Sequence, residues 1–232
     1  MKNAATQISR TRVSRKRARQ RGYEILEFAL MAILLVPTFL WVFINGMNLI
    51  RLIQCNQICR DIGNLYMQGV DFTTYQAQTL AQTLAQGYGL QIGSTFTGSN
   101  AANDSNAGNG WIILSEVMYV GTSACSALPS GTSCTNSGKY VYVMRLDFGN
   151  KSLQINGNSL ASAIGTPSSA TINSEGYVSN YLTDASAVAA NAGSFITLTD
   201  TEVAYVAETF FASPTLSFSS YPGGGITSRV FF

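Results

Sequence analysis

Polar and apolar positions divide the chain sharply. Residues 1–21 are polar and show no apolar period, which predicts a segment without stable structure of its own until bound. Phe28 to Ile44 is then a run of 17 uncharged residues, nearly all apolar. Carried on to Ile53, past Asn45, Asn48 and Arg51, the run predicts a helix long enough to cross a bilayer, which takes about 20 residues. Pro37 lies inside it, removes one backbone donor and is expected to bend the helix, as membrane helices tolerate. The pattern does not stop there. Leu52, Cys55, Cys59, Ile62 and Tyr66 recur at spacings of 3, 4, 3 and 4, which places them on one helical face. Asn56, Gln57, Arg60 and Asp61 fill the other face. One continuous helix is therefore predicted from Tyr23 to Met67, roughly 68 Å long at about 1.5 Å per residue. Its outer apolar stripe is expected to be covered by the chain's own C-terminal body.

Gly69-Val70-Asp71 ends that helix. Thr73 or Thr74 can cap a second one through Ala85, with Leu80 and Leu84 four apart on one face. From Gly93 to Gly110 the composition turns to Gly, Ser, Asn, Thr and Ala and reads as a loop. Its NDSNAGNG run offers one carboxylate, Asp104, too few for a calcium site. Trp111–Val120 and Lys139–Phe148 alternate as strands. In the second, Val141, Val143 and Arg145 are expected on one face and Tyr142, Met144 and Leu146 on the other. Residues between them form a long hairpin connection. A short helix near Leu160 and a helix over Glu175–Ala190 are expected, the latter with Val178, Tyr181, Leu182 and Ala185 in step. Phe195–Phe211 is β-rich, and Ile226–Phe232 is placed to close the sheet. The fold class predicted is α+β: a long N-terminal transmembrane helix continuing as a spine packed on a small, mostly antiparallel sheet. Four segments follow: 1–22, 23–68, 69–110 and 111–232.

Charge adds a direction. Eight of the 14 basic residues (Lys2, Arg10, Arg12, Arg15, Lys16, Arg17, Arg19 and Arg21) precede Gly22, and no acid does. The remainder holds 6 basic against 12 acidic residues, formally −6. A basic cluster set against an apolar run, with no interleaved aromatics, fits the cytoplasmic flank of a membrane helix rather than a nucleic-acid-binding arm. The basic end then stays in the cytoplasm and the part beyond Ile53 faces outside. The run ends in Trp41, Phe43, Asn45 and Asn48, unlike a secretory cleavage site.

Candidate chemistry is sparse. There is no histidine, which removes the commonest general base and metal ligand. No GxSxG elbow or paired acidic motif occurs, and an enzyme is not expected. Glu116, Asp147, Glu202 and Glu208 read as solvated strand and loop positions. Four cysteines beyond the apolar run favour disulfides in a non-cytoplasmic compartment. Cys125 and Cys134 flank an eight-residue Ser/Pro/Gly-rich loop and are the favoured pair. Cys55 and Cys59 stand four apart on a helix, where Cβ atoms lie about 5–6 Å apart, beyond disulfide reach without local distortion. They stay as buried free thiols, bridge through a distortion, or each bind a loop cysteine. No close paired spacing marks a zinc site, and neither metal nor cofactor is expected.

One acid, Glu27, stands at the threshold of the apolar run. Either it lies in the bilayer core, where an acid marks function, or it reaches the headgroups beside Glu24. A basic leader ending in Gly22, then YEIL, then Glu27 at the fifth position of an apolar helix resembles a type IV prepilin. LEFAL (Leu26–Leu30), the following AILLVP, the stretch NGMNLIRLIQCNQICRDIGNLYMQG and the late TLTDTEVAYVAETFFASPTL are similar to TadE-like minor pilins of the tight-adherence (Flp-type) system. The likeness is good over 21–68 and weak over 111–232, where the body and the Asn/Gly-rich insert are longer than in short relatives.

That resemblance implies a pilin-like fold and cleavage by a prepilin peptidase between Gly22 and Tyr23. It implies a bacterial inner-membrane protein, single-pass, with partners among other pilin subunits and the pilus assembly machinery. It also gives Glu27 a role. Cleavage creates an α-amino cation on Tyr23, which Glu27 of a neighbouring subunit can meet in the growing filament. The alternative is an uncleaved, membrane-anchored surface protein with an adhesive or ligand-binding outer domain. On either reading the partners are a membrane and proteins, not nucleic acid.

Overall fold

A computed structural model describes residues 4–92, 108–155, 158–167, 172–173, 175–212 and 225–232, with the backbone alone for 4–22, 155, 158 and 159. The Gly/Asn-rich stretch 93–107, with Asp104, lies outside the described residues. The chain divides into two units, Met1–Leu49 and Ile50–Phe232. Helix α1 (Ala4–Met67) runs through the boundary without a break.

The first unit is helical throughout its described residues. The basic segment, expected to lack structure, is helical from Ala4; its Ala, Arg, Lys and Gln are all good helix formers. From Tyr23 onward the side chains are exposed on every face, including Phe28, Ile33, Leu35, Phe39 and Trp41. A helix apolar all round is a buried or membrane helix. Here the most apolar 18-residue window has mean hydropathy 2.3 and none of it is buried. The helix is thus long and apolar enough to cross a membrane. Pro37 sits inside it and cannot donate to the carbonyl of Ile33. The Thr38 hydroxyl, one residue on, donates to the carbonyls of Leu34 and Leu35 at 2.9 Å.

In the second unit the remainder of α1 acquires a partner. Cys55, Ile58, Cys59, Ile62 and Tyr66 are buried. They pack with Ile112, Leu114, Met144, Leu146, Phe148, Ala207 and Phe211 of a four-stranded sheet. The expected stripe is shifted at its start: Leu52 is 40% exposed, and Ile58 is buried although the stripe omitted it. Leu52 lies about one turn before the first contact with the sheet, where Cys55 Sγ meets Thr209 Oγ1 at 3.2 Å. Gly63 allows the close approach: a Cβ there would collide with the Phe232 ring and press on Ala207. Gly69 ends the helix with φ +85°. The amide of Val70 reaches back to the carbonyl of Leu65, and that of Gly69 to Tyr66, which satisfies the last-turn carbonyls.

Helix α2 (Tyr75–Gly87) starts at Thr74, whose side chain accepts from the amide of Ala77 at 3.4 Å. Its buried face is Ala77, Gln78, Ala81 and Ala85. The predicted leucine face is not observed: Leu80 is exposed and Leu84 only partly buried. Alanines four apart let α2 lie close to the core, and the leucines are left along its margin. At the far end of α2 the Arg51 guanidinium donates to the Tyr88 carbonyl at 2.9 Å, capping the last turn with a cation.

The sheet has the order β2-β1-β5-β6, antiparallel throughout: β1 (Gly110–Val120), β2 (Lys139–Gly149), β5 (Val203–Ala212) and β6 (Gly225–Phe231). Two-residue strands β3 (Gln154–Ile155) and β4 (Asn158–Ser159) pair with each other. A short helix α3 (Thr122–Ser126) sits in the β1–β2 connection. The register of β1 on β2 slips between Glu116 and Val117, skipping Val143. This bulge overturns the simple alternation predicted for β2. Tyr142 packs with Val117, Val178 and Val206 on one side, and Met144 and Leu146 with α1 on the other.

Among the described residues no α-helix forms near Leu160 or over 175–190. The chain there runs beside the outer edge of β2 instead. The amide of Arg145 donates to the Gly176 carbonyl at 2.8 Å, Val178 to Val143 at 2.9 Å, and Ala189 to Tyr140 at 2.9 Å. An open strand edge supplies fixed partners, and these outcompete a weak helical period in a Ser/Asn/Thr-rich segment. Only 3₁₀ turns at Ala185–Ala187 and Ala192–Ser194 remain. Phe195–Glu202 is likewise irregular, and the strand begins at Val203.

Candidate functional site

Two regions hold the predicted site residues, one in each unit. In the first, Gly22, Tyr23 and Glu27 lie on consecutive turns of α1, and the side chains of residues up to Gly22 are outside the described set. Tyr23 is 76% exposed, and Glu27 is exposed among Ile25, Leu26, Phe28 and Leu30. Tyr23 and Glu27 are four apart, hence on the same face. Glu27 is the last acid before Asp61. A carboxylate is thus presented at the head of an unpaired apolar surface, with no charged neighbour on the next eight turns toward the second unit except Arg51.

In the second unit, Cys125 and Cys134 form a disulfide, with Cα atoms 5.6 Å apart. Closing a loop this short removes chain entropy worth about 2–3 kcal/mol. It pins the end of α3 to the hairpin connection. Asp200 fixes the start of α3 by accepting from the amides of Gly121 at 2.7 Å and Ser123 at 2.6 Å. Cys55 and Cys59 are free and fully buried. Of the three arrangements left open for them, the thiols are the outcome, directed at Thr209 Oγ1 and the Ala207 carbonyl, both at 3.2 Å. They act as small apolar residues of the spine. Neither is expected to react with a water-soluble maleimide until the body is unfolded. Mass spectrometry should then find two new adducts in denaturant, and labelling of the native protein within minutes would contradict this packing.

Two acids read as solvated are not. Glu208 is 1% exposed. It accepts from Arg229 Nε at 2.6 Å, from the amide of Ala163 at 3.0 Å, and from the Ser162 hydroxyl. The signal was present: in YVAETFFA both neighbours on each side of Glu208 are apolar or small, so both faces of that strand are covered. Glu116 is half-buried on β1, and burial raises its carboxyl pKa above the ordinary value. Nearby, Arg145 is 5% exposed and donates to the Gly165 carbonyl at 3.2 Å and toward Tyr142. Asp147 pairs with Lys151 at 3.0 Å on the surface, and Glu202 is exposed, as expected of both. Among the described residues no group of three metal-ligating side chains occurs. Comparison with protein-family models, with curated proteins and with solved structures finds no match to this chain.

Proposed function

We propose that the chain is a TadE-like minor pilin that acts in assembly of a tight-adherence pilus. On this reading a prepilin peptidase removes residues 1–22, and the helix from Tyr23 to about Ile53 holds the subunit in the bacterial inner membrane. The N-terminus faces the cytoplasm and the body from Cys55 stands outside. One observation carries the reading: the part of α1 that follows Gly22 is exposed and apolar, carries Glu27 at its fifth position with Glu24 beside it, and continues unbroken as the buried spine of a β-sheet body. The remaining geometry fits that role. The body is covalently pinned by Cys125–Cys134, which suits an oxidising compartment. The exposed apolar surface of the first unit, too large to leave in water, suits both lipid and the helices of other subunits.

Intact-mass measurement after coexpression with the cognate peptidase tests this. The expected product begins at Tyr23, lighter by residues 1–22. A chain that keeps its leader in the presence of active peptidase would instead favour an anchored surface protein with a binding domain outside.

A further inference from the structure

On the α1 side of the sheet, next to the bulge, four residues stand side by side in register. Tyr205 of β5 lies opposite Glu116 of β1, Glu116 opposite Met144 of β2, and Met144 opposite Tyr177. Paired residues of antiparallel strands project to the same face. Tyr66, in the last turn of α1, bounds this row. Its ring meets that of Tyr205 edge-on at 5.4 Å and that of Phe72 at 6.4 Å. Three phenols and one carboxylate thus share this face, with Tyr66 within electrostatic reach of Glu116, Tyr205 and Tyr177, and with Tyr177 49% exposed.

Two polar groups in this arrangement lack a protein partner among the described residues. Glu116 makes no hydrogen bond or ion pair among the described residues, although it is half-buried. Tyr66 Oη is buried without a partner, in a residue only 6% exposed. The contrast with Glu208 is informative, since that acid, in the same sheet, is met by three donors. Leaving a buried group such as Tyr66 Oη unpaired costs stability.

We propose that Tyr66, Glu116, Tyr177 and Tyr205 form a binding site for a primary alkylammonium, the chemistry of a lysine side chain. The negative faces of aromatic rings attract a cation once water is excluded. The carboxylate supplies the countercharge. The ammonium N–H groups can donate to the Glu116 carboxylate, which a quaternary ammonium cannot do. The Met144 thioether, beside Glu116 on the same face, adds a polarisable contact. A divalent metal would require more oxygen ligands than one carboxylate provides. The inference rests on the sheet and on the end of α1, not on the assignment of the chain to a pilus.

The test uses the full chain in detergent micelles, labelled with ¹³C at the methionine methyls. Butylammonium chloride is the probe, against tetramethylammonium and sodium chloride at equal ionic strength. A saturable shift of the Met144 methyl is expected with butylammonium only. Glu116→Gln, nearly isosteric, is expected to weaken it by about tenfold or more, as loss of a charge-assisted contact does. Tyr177→Ala is expected to weaken it by about two- to fivefold. Unchanged shifts at the other methionines report an intact fold. The site is overturned if butylammonium gives no saturable shift or if Glu116→Gln binds as well as the parent. Equal or tighter binding of tetramethylammonium overturns the hydrogen-bonding assignment.

Discussion

Glu208→Ala is expected to destabilise the second unit by about 3–4 kcal/mol, the largest loss from any single polar residue in it. Removing one partner of a buried pair leaves the other charge uncompensated, which typically costs about 3–5 kcal/mol. Arg229 is 26% exposed and stacks on the Phe195 ring at 5.1 Å, so part of its charge can rehydrate. That pulls the figure toward the lower end. Two further donors, the Ser162 hydroxyl and the Ala163 amide, lose their acceptor in the same change. Each buried orphan costs about 1–3 kcal/mol, less where water can enter.

The position matters as much as the energy. Glu208 lies on β5, Arg229 on the edge strand β6, and Ser162 and Ala163 in the irregular chain that covers the opposite face of the sheet. One side chain therefore ties three segments distant in sequence. Urea unfolding followed by near-ultraviolet circular dichroism measures the loss. Glu208→Gln, which keeps an acceptor of similar shape, should recover about half of it. A Glu208→Ala midpoint that implies less than about 1 kcal/mol of change would mean that the pair is no better than a surface one.

The sequence pattern revealed the spine because an all-round apolar run and a one-sided stripe have different periods and different lengths. Phe28–Ile44 has no polar face, while Cys55–Tyr66 has one, and the structure leaves the former exposed and buries the latter. The main strands were legible for the same reason, as was the cap at Thr74. What the pattern hid was set by partners remote in sequence. The alternation in β2 fails at Val143 because the bulge is a property of the β1–β2 pairing, not of either strand alone. The helical period in 175–190 lost to the free edge of β2, which no local window contains. Glu208 was misread because a carboxylate was taken as solvated by type, although its flanking residues marked both faces as covered. Gly22, Tyr23 and Glu27 drew their meaning from a resemblance, and the exposure of Tyr23 and Glu27 is what a helix awaiting lipid or other helices would have.

Glu27→Ala is expected to leave leader removal intact and to cut incorporation into filaments by about a hundredfold. On the proposed reading, cleavage leaves an α-amino cation on Tyr23, one helical turn before Glu27. In a bundle of such helices a cation without a partner sits in a medium of low dielectric, where an unpaired charge costs about 3 kcal/mol or more. The acid of a neighbouring subunit removes that cost only when the two helices are offset by about one turn, so the pair selects an axial register. An energy of about 3 kcal/mol is a factor of about a hundred in an assembly equilibrium. Glu27→Gln should behave as Glu27→Ala does, because the loss is of charge and not of side-chain length. Intact mass of the membrane-bound protein reads the cleavage, and quantitative immunoblots of sheared filaments against the membrane fraction read the incorporation. Normal levels of Glu27→Ala in filaments would rule out the pairing, whereas an uncleaved leader in that variant would move the role of Glu27 from assembly to recognition by the peptidase.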